Sequence, residues 1–142
     1  MKINREILYE ILNCMPSVPP EAGGILGGKD GEISLWKYDK GCSEGGCVYC
    51  PNVNILNRVI AKWIEQGYDF MGILHVHFGG SGALSDGDKR YIEKIMRAMP
   101  ENINNLYFPI VVQPDKTVVS YMACKDMSGN IAILENEMEV FD

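Results

Sequence analysis

Phe70-Met71-Gly72-Ile73-Leu74-His75-Val76-His77 is the stretch on which the fold turns. A short, mostly apolar run of this kind marks a strand buried on both faces. Its last positions carry the two histidines of the chain, and there are no others. Residues two apart on a strand project to the same face, so His75 and His77 stand side by side while Val76 turns into the core. Downstream, Gly79-Gly80-Ser81-Gly82 forms a glycine-rich turn. It leads to a helix that starts near Ser85, carries Tyr91, Ile92, Ile95 and Met96 inward, and stops before Pro100. Upstream, Asn52 or Asn54 can cap a helix running to about Gln66, whose Ile55, Leu56, Val59, Ile60, Trp63 and Ile64 make one apolar stripe closed by Gly67. Farther back, Gly23-Gly24-Ile25-Leu26-Gly27-Gly28 reads as a buried strand, and Lys29-Asp30-Gly31 turns it into a hairpin with Glu32 to Tyr38.

The remaining segments complete a mixed chain. Ile3 to Cys14 has apolar residues at helical spacing and is stopped by Pro16, Pro19 and Pro20. Leu106 to Gln113 and Thr117 to Met122 predict a strand pair around Pro114-Asp115-Lys116, and Ile131 to Leu134 a last strand. The acidic tail, Glu135 to Asp142, is expected to be a solvated end, with Val140 and Phe141 the residues able to dock. Three helices and five or six strands joined by short turns predict an α/β fold of α+β type, a mixed sheet flanked by helices. At 142 residues the chain has the length of one domain, 1–142, large enough to bury a core without disulfides.

Charge and cysteine content narrow the function. A net charge of −6 repels phosphate backbones, which argues against nucleic acid as a partner. The opening residues lack an apolar run of signal-peptide length, and no stretch approaches the ~20 apolar residues of a membrane span. The expected location is therefore cytoplasmic, with no membrane partner. Five cysteines, an odd number, argue against a disulfide framework.

The glycine turn lets the chain double back from the strand end, so that Asp88 in the first helical turn faces the histidines. Two imidazoles and one carboxylate make three ligands for Zn2+ and leave a fourth position for water, the donor set of a hydrolytic site. Such a site needs a nearby carboxylate as proton carrier, and Glu21, just ahead of the glycine strand, is the candidate if that strand neighbours the histidine strand. Ser85 is placed to hydrogen-bond an oxyanion. Ser85-x-x-Asp88 ahead of an apolar run is also a helix-capping arrangement, and the two roles are compatible.

In that order, Glu21 before the glycine strand, His75-x-His77, seven residues, and Ser85-x-x-Asp88 resemble the JAMM signature of the JAB/MPN-plus zinc metalloproteases, compact prokaryotic type. The resemblance covers about residues 3 to 135. It implies a curved mixed sheet between helices, the JAB/MPN (cytidine-deaminase-like) architecture. It assigns His75, His77 and Asp88 as zinc ligands, Glu21 as the acid–base residue and Ser85 as the group that steadies the tetrahedral intermediate. The activity it implies is deubiquitinase-like: hydrolysis of a peptide or isopeptide bond after the C-terminal Gly-Gly of a ubiquitin-like or sulfur-carrier protein. Two positions depart from the family pattern. Val76 stands where the family has Ser or Thr, and Phe78 where it has Pro. Val76 points away from the metal, whereas Phe78 bears on the shape of the substrate groove.

Cys42-x4-Cys47-x2-Cys50 is the second feature. Cys47-x-x-Cys50 has zinc-ribbon or redox spacing, but only half a zinc site is visible. Free thiols, a second metal site completed by Cys42 with Cys124 or Cys14, and a redox-active loop all remain open. Two rivals to the peptidase follow: a non-catalytic MPN-type scaffold, and a redox- or metal-responsive protein built on this loop.

Overall fold

The computed structural model describes residues 1–42 and 49–142. The apolar run becomes strand β4, Asp69–His77, near the middle of the sheet. Antiparallel to it lies β2, Gly23–Lys29, which continues through the Asp30-Gly31 turn into β3, Glu32–Asp39. On the other side β4 pairs in parallel with β6, Ile110–Val112, so the sheet is mixed. Beyond β6 comes β7, Thr117–Lys125, which also pairs with β5, Asn105–Tyr107, and β8, Ile131–Asn136. At the far edge, β1, Lys2–Asn4, runs parallel to β3 and to β9, Glu139–Phe141. Met1, beside β1, lies 3.7 Å from the Ser120 hydroxyl on β7. Those strands are separated in the sheet by β6, β4, β2 and β3, so the sheet is strongly curved.

Alternation along β4 and β2 sorts the core into two layers. Leu26, Leu74 and Val76 pack with Leu8 and Ile11 of helix α1, Arg5–Cys14, on one face. Ile25, Phe70 and Ile73 pack with Leu56 and Trp63 of α2, Val53–Glu65, and with Ile92 and Met96 of α3, Asp86–Ala98, on the other. The strand alternation thus puts the histidines on the α2/α3 side. None of the described helices is long and apolar enough to cross a membrane.

Several expectations shift. The first helix begins at Arg5, because Asn4 caps it: its side-chain oxygen accepts the N–H groups of Glu6 and Ile7 at 2.9 and 3.3 Å. Asn52 holds the N-cap position of α2 but makes no side-chain cap bond there. The expected strand Leu106–Gln113 is split, since Phe108-Pro109 interrupts pairing between β5 and β6 and proline has no N–H for a ladder. The described residues hold nine strands rather than five or six. The acidic tail contributes two of the differences: Glu135 and Asn136 extend β8, and Glu139–Phe141 form β9.

Candidate metal centre

His75 and His77 end β4 on one face, and Val76 between them is fully buried on the other. Gly23 of β2 pairs with His75, so the strand that follows Glu21 does neighbour the histidine strand. The chain leaves β4 through Gly79 and Gly80, both in the left-handed conformation that glycine adopts without strain (φ +85° and +80°). Two bonds fix this turn. Gly80 N–H donates to the Gln113 carbonyl at 3.0 Å, and the Tyr121 hydroxyl donates to the Gly82 carbonyl at 2.7 Å.

The turn delivers Ser85 to the N-cap of α3. Ser85 Oγ accepts the Asp88 N–H at 3.0 Å, and Asp88 Oδ2 accepts the Ser85 N–H at 2.8 Å. This reciprocal pair is a capping box with Asp in the acidic position. It locks the Asp88 carboxylate over the strand end. Oδ1 lies 3.2 Å from His75 Nε2, Oδ2 lies 3.2 Å from His77 Nε2, and the two imidazole nitrogens are 2.9 Å apart.

These separations can be set against a metal. Donors at about 2.0–2.1 Å from a tetrahedral zinc sit about 3.3 Å from one another. The three donor atoms are therefore close to zinc spacing, drawn slightly inward. Two nitrogens and a carboxylate are also the donor types that zinc takes. His77 Nδ1 lies 3.3 Å from the Ser81 carbonyl, which, when it accepts the Nδ1 proton, leaves Nε2 bare for a metal. Among the described residues, His75, His77 and Asp88 are the one group of three or more such side chains with ligand atoms this close.

Electrostatics fit the same picture. The hydrogen bond to Asp88 raises the His77 pKa against the cost of burial, and the charges of Asp88 and Glu21 add to the rise. Burial works against ionisation of Asp88, but hydrogen bonds from His75 and His77 outweigh it and hold the carboxyl well below the usual range. Glu21 is half-buried and follows a proline segment tied down by Gln113, whose side-chain amide donates to the Pro16 carbonyl at 3.2 Å. Glu21 Oε2 accepts the Tyr49 N–H at 3.0 Å.

Tyr49, Asp39 and Gln113 surround the site and were not legible as site residues. Gly23 was the available signal: a glycine in a buried strand marks a close approach. A Cβ there would stand 2.7 Å from the Tyr49 ring and 2.3 Å from the Leu74 carbonyl oxygen. Of the cysteine loop, Cys42 and Cys50 face each other at its neck, where the Cys42 N–H donates to the Cys50 carbonyl at 2.8 Å. Cys47 lies outside the described residues, and with it the expected Cys42/Cys47/Cys50 metal or redox site.

No family model and no curated protein matches the chain. Solved structures similar to it include the following two. A protein from Desulfitobacterium hafniense, determined in solution, superposes with a TM-score of 0.67 at 18% identity, over 99% of this chain and 92% of that one. A JAB1/MPN domain protein from Archaeoglobus fulgidus superposes with a TM-score of 0.53 at 20% identity, over 100% of both. The chain thus has a JAB1/MPN-like fold, as its resemblance to the family implies.

Proposed function

We propose that the chain is a JAMM-type zinc metallopeptidase that hydrolyses a peptide or isopeptide bond, its substrate being a ubiquitin-like or sulfur-carrier protein ending in Gly-Gly. The observation that carries this reading is the convergence of His75, His77 and Asp88 within 2.9–3.2 Å of one another, with Glu21 close enough to act on His77 electrostatically. The JAB1/MPN-like fold supports it.

Zinc held there would lower the pKa of a water toward about 7 and polarise the scissile carbonyl. Glu21 takes a proton from the attacking water and delivers it to the leaving nitrogen as the C–N bond breaks. One water is consumed and no other reactant is required. The Ser85 hydroxyl accepts from Asp88 N–H, and its own proton is free to donate to the oxyanion of the carbonyl.

The test is a ubiquitin-like protein bearing a peptide or lysine side chain beyond its Gly-Gly, incubated with the zinc-loaded chain. Cleavage after Gly-Gly that stops with a chelator and returns with zinc supports the reading. A zinc-loaded protein inert on every such substrate contradicts it. Ser85→Ala separates that residue's two roles. Loss of the cap costs about 0.5–2 kcal/mol of stability. Loss of an oxyanion donor lowers kcat by about 10²–10³-fold. Both effects are expected together; a lower Tm with unchanged kcat would confine Ser85 to capping.

A further inference from the structure

Tyr49 touches more of this site than a packing residue needs to. Its hydroxyl donates to Oδ2 of Asp39 at 2.8 Å. Asp39 is itself buried at the end of β3 and is fully engaged: Oδ1 accepts the Gly41 N–H at 3.0 Å, and Oδ2 also accepts the Asn52 N–H at 2.9 Å. One carboxylate thereby ties together both stems of the segment that links β3 to α2. The Tyr49 ring lies on the backbone of Gly23, in the space a side chain would fill. Its plane is within 13° of the His75 ring, with centroids 6.3 Å apart, inside the range over which offset aromatic rings attract. Its backbone N–H donates to Glu21.

We propose that Tyr49 is a positioning residue: anchored by the buried Asp39, it fixes the Glu21 carboxylate through its N–H and backs the His75 imidazole with its ring. The inference rests on the peptidase reading for its catalytic consequence, but its structural content is independent. Glu21 lies just ahead of β2, beside Ala22, whose carbonyl accepts the Val76 N–H at 3.0 Å. The Tyr49 N–H supplies a fixed donor to one oxygen of the Glu21 carboxylate and leaves the other for proton transfer. A core tyrosine with no further role would need its hydroxyl satisfied, but would not need its backbone on Glu21 or its ring beside a metal ligand.

The experiment compares the full chain with Tyr49→Leu and Tyr49→Phe, each loaded with zinc for kinetics and with cobalt(II) for absorption spectra. Tyr49→Leu removes the ring and the hydroxyl; Tyr49→Phe removes only the tie to Asp39. A misplacement of about 1 Å costs on the order of 10²-fold in rate. Tyr49→Leu is expected to lower kcat toward that extent with KM within about twofold of native, and to alter the visible bands of bound cobalt. Tyr49→Phe is expected to fall between Leu and native in both. If Tyr49→Leu does not fold, Tyr49→Phe decides by the same two measurements. Native kcat and native cobalt bands in the folded variants overturn the proposal. If the native chain cleaves no Gly-Gly substrate, the peptidase reading fails, and the cobalt bands alone decide the positioning role: shifted bands uphold it and native bands overturn it.

Discussion

Glu21→Gln is expected to lower turnover by about 10²–10⁴-fold, the usual contribution of a positioned general acid–base group, while zinc content stays at the native level. The two halves of this result come from different geometry. Glu21 is not among the three side chains whose ligand atoms converge, so replacing its carboxylate leaves that donor set whole. Glutamine keeps the size of the side chain and an oxygen able to accept the Tyr49 N–H, so the local structure is retained. It cannot take up the proton. The effect therefore belongs in kcat more than in KM. Steady-state kinetics with metal analysis on the same sample checks both halves. Native turnover in a folded, zinc-loaded Glu21→Gln protein would remove Glu21 from the proton transfer, and absence of turnover in the native protein itself would favour a scaffold.

Asp88→Asn is expected to weaken zinc binding by more than the 10–100-fold typical of losing an outer-shell partner. Asp88 supplies the negative charge that two neutral imidazoles lack, and both of its oxygens face them. Asparagine is nearly the same size and its oxygen can still accept the Ser85 N–H, so the capping box survives in part. Stability without metal should consequently fall far less than metal affinity does. Competition with a chromogenic chelator measures the affinity, and thermal unfolding of the metal-free proteins measures the stability. Equal affinity for the two proteins would remove Asp88 from the ligand set.

The parts of the molecule legible in the sequence are those with a strong local pattern. The β4 run, the glycine strand and the helix after Ser85 each carry a period or a cap, and the side-chain alternation of β4 alone puts both histidines on one face. Asp88 could be placed because the capping pattern fixes where α3 begins and hence which way its first turn faces. What stayed hidden depends on contacts distant in sequence. β1 and β9 are three residues each, too short to show alternation, and they form by pairing with each other across the length of the chain. Pro109 was in plain view, but its break of the β5–β6 strand emerges only when both halves have partners. Tyr49 touches Asp39 from ten residues further along the chain, and nothing in the local periodicity shows where its ring goes. Gly23 reported that something lay close without saying what.

His75, His77 and Asp88 are expected to hold a zinc ion. The most direct test is the zinc content of the purified chain and of His77→Ala, each supplied with zinc and then freed of loosely bound metal. About one zinc per native chain is expected, the stoichiometry of a single His₂Asp site, together with its loss from the variant. A native chain that retains no zinc would contradict this expectation, and so would a His77→Ala protein that keeps its full zinc content.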